Sequence, residues 1–248
     1  MSFITVPELL LRVRFPTEVH NVCEFIVPQQ FHVQQALTDI QSKYSDGATP
    51  YNCWDWVCRE VQYPVDASGK TNEYHRMDSY AIRQFYVVGA GQVVQPMKHQ
   101  QVWWEWFDFP WEILAGSPMV GDCDGSSILL CNLLRAIGVS AQVALGGFAT
   151  DKEALSHAWV VCNGQVLETT TDTAGIVLPE DNETYIPLIY FDESTISLDP
   201  SVYDALVDLD YIPALGDMYR GLGIGENCQK KMDILCRMIE GSLSCEFV

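Results

Sequence analysis

Apolar positions recur at helical spacing in three segments of the chain. Residues 33–44, VQQALTDIQSKY, have apolar side chains three or four positions apart, which predicts an amphipathic helix. A second helix is predicted for residues 51–63, YNCWDWVCREVQY, and Pro64 is expected to end it. The clearest segment is SSILLCNLLRAIG, residues 126–138, whose broad apolar stripe is typical of a buried helix and whose Gly138 is a natural C-terminal stop.

Strand-like patterns follow the third predicted helix. VSAQVAL, residues 139–145, predicts a strand, and we interpret the GGFA segment after it as a turn. HAWVVCNGQVLETTT, residues 157–171, predicts two strands joined at Asn163–Gly164, because Asn-Gly between apolar runs is a strong hairpin signal. A two-residue turn at that point places His157 opposite Thr170.

The two ends of the chain have weaker patterns. Residues 1–30 contain scattered prolines and predict short strands or an extended arm. Residues 176–225 alternate short apolar runs with turn residues and acids, and residues 227–241, NCQKKMDILCRMIEG, predict a closing helix.

The composition is that of a folded, acidic protein. Of the 248 residues, 48% are hydrophobic, so the chain can bury a sizeable core and is not expected to be disordered. The formal net charge of −19 repels phosphate backbones, which argues against nucleic acid as a partner. We interpret the acidity as a solubility feature, and a preference for a basic substrate is the alternative.

The sequence has neither an evident membrane span nor a recognisable secretory signal. No stretch of about 18 apolar residues occurs. The segment MSFITVPELLLRVRFP lacks a basic start and a small-residue cleavage site. We therefore expect a cytoplasmic protein with no membrane partner.

Nine cysteines occur along the chain, without a C-x-x-C pair or the Cys and His spacing of a zinc site. In a reducing compartment most of them are expected to be thiols that pack as small hydrophobic side chains. Cys123, Asp122, Asp124 and His157 can be imagined as metal ligands, but side chains at adjacent helix positions point apart. We therefore expect no metal and no cofactor.

Cys123 lies in GDCDG at the predicted start of the third helix, where Asp122 or Asp124 can cap the helix. A cysteine attacks as its thiolate, which the amides and dipole of a helix N-terminus stabilise. The same amides can hold the oxyanion that forms during acyl transfer. The two aspartates oppose thiolate formation by their charge, so a nearby histidine that becomes cationic is needed.

His157 is the candidate histidine because it opens the first strand of the predicted hairpin. Glu168 and Asp172 both lie diagonal to it, and either carboxylate can fix the imidazole tautomer. Trp159 is expected to cover that hydrogen bond. A thiol, an imidazole and an acid in this order predict a cysteine-nucleophile acyl-transfer enzyme, with Cys123 as the nucleophile and His157 as the base.

These motifs resemble the core of the transglutaminase-like superfamily of cysteine proteases and acyltransferases. The shared pattern is GDCD before a buried helix that ends in RAIG, then HAWVV, then VLETT in place of the family's Leu-Asp-Pro-Thr. The upstream segment WDWVCREVQYPVD and the Trp-Glu-Ile-Leu stretch before GDC also resemble family segments. The likeness covers residues 33–175 and leaves extensions at residues 1–32 and 176–248.

The resemblance implies an α+β, papain-like fold, in which a nucleophile helix packs on an antiparallel β-sheet and the two extensions complete or cover this core. By motif, Cys123 is the nucleophile, His157 the base and Glu168 the acid. The chain departs from the family pattern by Glu168 in place of aspartate and Thr169 in place of proline. Asp172 remains a competing acid.

The activity implied by the resemblance is hydrolysis of a peptide, isopeptide or related amide in a peptide or protein substrate, through an acyl-cysteine intermediate. The alternatives are a protein-glutamine amine acyltransferase that cross-links, and a non-catalytic scaffold or binding module of the same fold. Four upstream side chains are candidates to complete the oxyanion hole beside the Cys123 amide: Gln95, Gln101, Trp103 and Trp104.

Overall fold

The computed structural model describes residues 2–14, 18–64, 88–89, 92–93, 107–149, 154–171, 173–175, 177–180 and 183–207. The helices in these ranges are α1 (Phe31–Lys43), α2 (Pro50–Glu60), α3 (Pro110–Leu114), α4 (Cys123–Ala136) and α5 (Pro200–Val207), with a 3₁₀ turn at Val22–Phe25. The strands are β1 (Ile4–Val6), β2 (Leu10–Arg14), β3 (Glu18–Asn21), β4 (Val61–Gln62), β5 (Val88–Gly89), β6 (Gln92–Val93), β7 (Met119–Val120), β8 (Ala141–Ala149), β9 (Ala154–Cys162), β10 (Gln165–Leu167), β11 (Val177–Pro179), β12 (Tyr185–Phe191) and β13 (Ile196–Leu198).

Seven of the described strands form one antiparallel sheet in the order β1-β13-β12-β8-β9-β10-β11. The longest pairing joins β8 to β9, which run side by side from the Ala141–Cys162 pair to the Ala149–Ala154 pair. The architecture is therefore mixed α+β with an antiparallel sheet, which confirms this part of the sequence prediction. Segments outside residues 33–175 supply β1, β11, β12 and β13 to the same sheet.

Helix α4 packs against this sheet and is the most deeply buried helix of the described chain. Every residue from Cys123 to Leu134 is buried, as the broad apolar stripe predicted. The helix contacts β8 and β9, and α1, α2 and α3 also pack against it. Gly138 has a positive φ of 79° just after the helix, so it ends α4 as predicted.

The two faces of the sheet bury different side chains. Ala158 and Val160 of β9 belong to the same core as α4. Trp159 and Val161 alternate with them and belong to a second cluster, which also contains Tyr185 of β12. This alternation is the ordinary period of a strand with both faces covered.

The predicted hairpin is present as β9 and β10. Asn163 and Gly164 both have positive φ values, 53° and 72°, and Cys162 pairs with Gln165 across the turn. These angles are those of a two-residue type I′ turn, whose twist matches that of the flanking strands. The ladder ends where Leu167 pairs with Val160, and the chain then leaves β10.

Two boundaries predicted from the sequence are wrong. The GGFA segment is not a turn, because β8 continues through it. A Cβ on Gly146 would lie 2.0 Å from the carbonyl oxygen of Ile186 on β12, so this glycine permits close strand approach instead of a chain reversal. Helix α2 ends at Glu60 rather than at Pro64, because Val61–Gln62 pair in parallel with β7.

The N-terminal prediction of short strands corresponds to β1, β2 and β3, and β1 joins the main sheet through β13. The closing helix predicted at residues 227–241 lies outside the described residues. None of the helices in the described ranges is long and apolar enough to cross a membrane.

Candidate active site

Cys123 is the first residue of α4, and the local chain fixes it there. Asp122 is the N-cap: its side chain accepts a hydrogen bond from the amide of Gly125 at 3.3 Å. The Ser126 hydroxyl donates to the carbonyl oxygen of Asp122 at 2.6 Å, which fastens the first turn. Of the two aspartates proposed as caps, Asp122 therefore has this role, and the thiol lies at the positive end of a buried helix.

The residue before this cap, Gly121, lies in a space that leaves little room for a side chain. Its amide donates to the carbonyl oxygen of Gln62 at 3.1 Å, which ties the segment before α4 to β4. A Cβ at this position would lie 2.9 Å from Cδ1 of Ile113 and 3.3 Å from Cγ1 of Val61. A larger residue at this position would have to displace these two side-chain methyl groups.

His157 lies on β9, opposite Gly146 of β8. Its Nε2 lies 2.8 Å from Oε2 of Glu168, and the imidazole is also hydrogen-bonded to the thiol of Cys123. Because Nε2 faces the acid, Nδ1 is the ring nitrogen left for the thiol. The Trp159 ring stacks on the imidazole with centroids 6.1 Å apart, and Trp159 is only 1% exposed, so it shields this pair from solvent.

Glu168 holds this imidazole from the loop that follows β10. Its Oε1 accepts hydrogen bonds from the amides of Thr169 and Thr170, both at 2.9 Å, and from the Thr170 hydroxyl at 2.8 Å. Its Oε2 accepts from His157 and from the Tyr185 hydroxyl at 3.0 Å. The carboxylate is therefore fixed in orientation by donors on both oxygens.

The backbone of Glu168 is anchored as well as its side chain. Trp54 Nε1 and the Cys58 thiol, both on α2, donate to its carbonyl oxygen, the latter at 3.5 Å. Helix α2 thus holds the loop that carries Glu168 through its backbone.

Burial and charge determine the protonation of the pair. Burial alone would lower the pKa of His157, but the charge of Glu168 and the hydrogen bonds with Cys123 and Glu168 raise this pKa to about 10. Burial alone would raise the pKa of Glu168, but its charge interaction and hydrogen bond with His157, together with donors from Thr170, lower it to about 2. At neutral pH the two groups therefore form an imidazolium–carboxylate ion pair.

Thr169 connects the acid-bearing loop to the thiol-bearing helix. Its hydroxyl lies 2.9 Å from Ser126 Oγ and 3.1 Å from Ser127 Oγ, and all three hydroxyls are buried. A proline at this position would have no hydroxyl for these contacts and no amide hydrogen to donate to Glu168.

The other described cysteines have environments unlike that of Cys123. Burial raises the pKa of Cys23 to about 11 and that of Cys53 and of Cys58 to about 12. Burial likewise raises the pKa of Cys131 and of Cys162. None of the six cysteines in the described part of the chain forms a disulfide. The raised values leave these five thiols protonated, whereas Cys123 lies beside a cationic ring that favours a thiolate.

The structure brings together three of the four side chains singled out from the sequence: Cys123, His157 and Glu168. The competing acid, Asp172, lies outside the described residues, as do the four candidates for the oxyanion hole, Gln95, Gln101, Trp103 and Trp104. Within the described ranges, no three His, Cys, Asp or Glu side chains are grouped so that they could hold a metal ion.

Sequence reasoning missed several residues that build the site. Tyr185, Trp54 and Thr170 each donate a hydrogen bond to Glu168, and no sequence motif predicts these three contacts. Trp54 and Thr170 lie in segments that were singled out for other reasons. Tyr185 opens an apolar run that gave no chemical signal, so only the pairing of β12 with β8 shows that it lies beside Glu168.

Comparison of this chain with models of known protein families, with curated proteins and with solved structures found no match. The arrangement of side chains is therefore the basis for assigning a function. It places a thiol at a helix N-terminus against an imidazole, and a carboxylate against the other ring nitrogen. This combination can move a proton between sulfur, nitrogen and a reacting group.

Proposed function

We propose that this protein is a transglutaminase-like cysteine hydrolase that cleaves peptide or related amide bonds through an acyl-cysteine intermediate. The single observation that carries the proposal is the contact between Cys123 and His157, with Glu168 on the far side of the ring. The nucleophile helix packed on an antiparallel sheet that bears the histidine is consistent with a papain-like core.

The proposed reaction begins from the thiolate–imidazolium pair. The Cys123 sulfur attacks the substrate carbonyl carbon, and the backbone amide of Cys123 donates to the oxyanion at the start of α4. His157 gives its proton to the leaving nitrogen as the carbon–nitrogen bond breaks, which releases an amine and leaves an acyl-cysteine. His157, now neutral, takes a proton from water, and the hydroxide attacks the acyl carbon. Collapse then releases the carboxylic acid and the thiolate.

Glu168 acts on this reaction through His157. Its fixed carboxylate selects the tautomer in which Nε2 carries a proton, and it stabilises the cationic ring. Trp159 covers one face of the imidazole, which limits the access of water to this hydrogen bond.

The first test is selective alkylation of the folded protein with iodoacetamide, followed by peptide mapping. At neutral pH we expect Cys123 to react roughly tenfold or more faster than the eight other cysteines, because only a thiolate reacts readily. His157→Gln should remove this advantage, and His32→Gln, the same change at a half-buried position of α1, should preserve it. Equal labelling of all nine cysteines would exclude a catalytic thiol and favour a non-catalytic module.

The second measurement separates hydrolysis from amine transfer. The protein is incubated with a glutamine-containing peptide and a labelled primary amine, with Cys123→Ala as the control. Ammonia release without amine incorporation is the expected result for a hydrolase. Incorporation of the amine would instead indicate the acyltransferase alternative, which uses the same thiol and imidazole.

A further inference from the structure

Tyr185 donates a hydrogen bond to the same carboxylate oxygen that holds the imidazole. Its hydroxyl lies 3.0 Å from Oε2 of Glu168, and His157 Nε2 lies 2.8 Å from that oxygen. The tyrosine comes from β12, outside the segment that carries the thiol, imidazole and acid. Two donors on one carboxylate oxygen compete for its charge.

Packing fixes the position of this phenol. Tyr185 is only 7% exposed, and its ring meets the rings of Trp159 and Phe148 edge-on, with centroids 5.0 Å and 5.2 Å apart. Phe148 also meets the imidazole of His157 edge-on, at 5.8 Å. Burial and the charge of Glu168 raise the pKa of Tyr185 well above its usual range, so the phenol stays protonated and remains a donor.

The remaining donors on Glu168 cannot replace Tyr185. The amides of Thr169 and Thr170 and the Thr170 hydroxyl all donate to Oε1, the oxygen that faces away from the imidazole. Among the described residues, the titratable groups that face His157 are Cys123 from α4, Glu168 from the loop and Tyr185 from β12. Tyr185 is therefore the group placed to adjust the charge that Oε2 presents to the ring.

We propose that Tyr185 is a positioning residue, whose phenol shares Oε2 of Glu168 with His157, directs the carboxylate and weakens its hold on the imidazolium. The physical reason is that a carboxylate oxygen with a second donor is less basic toward the first. A weaker hold helps His157 to release its proton to the leaving amine and to act as a neutral base in deacylation. This inference rests on the proposed function.

The test compares Tyr185→Phe with Tyr190→Phe in the full chain. Tyr190 lies on the same strand, is also 7% exposed, and its phenol is hydrogen-bonded to a different acid, Glu180. Both changes remove one buried phenolic oxygen that is bonded to a carboxylate, so they share their structural cost. The His157 signal is followed by NMR of histidine-labelled protein and is assigned by its absence in His157→Gln.

We expect Tyr185→Phe to raise the pKa of His157 by roughly 0.5 to 1 unit. A shift of this size corresponds to a part of the energy of one hydrogen bond to a charged group. With an amide substrate, kcat should fall roughly threefold to tenfold at unchanged KM, the same shift expressed as a rate. Tyr190→Phe should change neither quantity. An unchanged His157 titration in Tyr185→Phe, or equal shifts in the two variants, would show that Tyr185 only packs.

A second substitution reverses the expected sign and covers the case in which Tyr185→Phe does not fold. A fluorinated tyrosine placed at position 185 keeps the ring and makes the phenol a stronger donor, so the pKa of His157 should fall. A rise would overturn the inference. Because the titration needs no substrate, a shift of the expected sign in a protein without hydrolase activity would contradict the proposed function but would still show that Tyr185 weakens the hold of Glu168 on His157.

Discussion

Glu168 reaches His157 from a loop, and this explains why a longer acid is used at this position. The ladder of β10 ends at Leu167, one residue earlier, so the carboxylate does not start from a strand position directly beside the imidazole. The side chain of glutamate adds one methylene to that of aspartate. That length lets Oε2 meet His157 while Oε1 stays on the two threonine amides.

At the residue scale, Glu168→Gln should remove the charge that keeps His157 cationic. We expect the pKa of His157 to fall below its present value of about 10, because the charge of Glu168 is the largest contribution that raises it. The proposed hydrolysis at neutral pH should fall by roughly 100-fold, because His157 then loses its contribution as general acid and base. The pH dependence of Cys123 alkylation measures the first effect, and initial rates measure the second.

Two further variants make this prediction specific. Glu168→Asp keeps the charge but shortens the side chain, so it should retain part of the activity. Glu60→Gln makes the same chemical change in the surface ion pair with Lys43 and should leave the alkylation profile as in the parent protein. A normal profile in Glu168→Gln would show that another acid, such as Asp172, stabilises the imidazolium.

At the element scale, a buried hydroxyl cluster fastens the loop after β10 to α4. Thr169 contacts both Ser126 and Ser127, so the acid and the thiol are held by the same contact between a loop and a helix. The carbonyl oxygen of Glu168 adds a third element through its donors on α2. The site is therefore positioned by packing between α2, α4 and the hairpin.

Thr169→Val should destabilise this junction, because valine has nearly the same shape as threonine but cannot hydrogen-bond to the two buried serines. We expect the free energy of unfolding to fall by about 1–3 kcal/mol, the cost of leaving buried polar groups unsatisfied. Thr169→Ser keeps the hydroxyl and loses one methyl group, which costs about 1 kcal/mol. Urea denaturation compares the two, and an equal or smaller loss for valine would show that the hydroxyl contacts contribute little.

At the scale of the whole molecule, the sheet joins segments from three parts of the chain. β1 comes from the N-terminal extension, β8 to β10 from the predicted core, and β11 to β13 from the segment after residue 175. β12 pairs with β8 along most of its length and delivers Tyr185 to the acid. Glu168, which lies in the segment 33–175, is therefore hydrogen-bonded by a residue from the segment that follows it.

The stability of the whole molecule should depend on pH through the buried ion pair. The pKa of His157 is raised, so its contribution is complete below about 6.5 and is lost as the pH rises toward about 10. The pKa of Glu168 is lowered, so its contribution is complete above about 4.5 and is lost as the pH falls toward about 2. As one interaction, the pair should stabilise the fold most between about pH 4.5 and pH 6.5.

Urea unfolding of the parent protein and of the double variant His157→Gln/Glu168→Gln tests this expectation. The difference in the free energy of unfolding should be greatest at about pH 5.5 and smaller at about pH 3 and about pH 9. A difference that does not vary with pH would mean that the two side chains contribute to stability only by packing.

Short-range patterns in the sequence were sufficient for much of the fold. The apolar stripe of α4 and its Gly138 stop lie within one segment, so helical periodicity and capping rules predict them. The same rules left the cap open between Asp122 and Asp124. The two residues Asn163 and Gly164 likewise predict the hairpin, because Asn-Gly favours a type I′ turn whose twist matches that of the flanking strands. These features were predictable because each depends only on neighbouring residues.

The sequence by itself determined the buried helix that follows GDCDG, the hairpin and the order of thiol, imidazole and acid. Only the tertiary structure decided that Tyr185 shares the carboxylate, that Trp54 holds its backbone, and that Gly146 is a strand residue instead of a turn. Each of these depends on which distant segment lies alongside, and such long-range proximity is set by the packing of the whole core, which local periodicity does not encode.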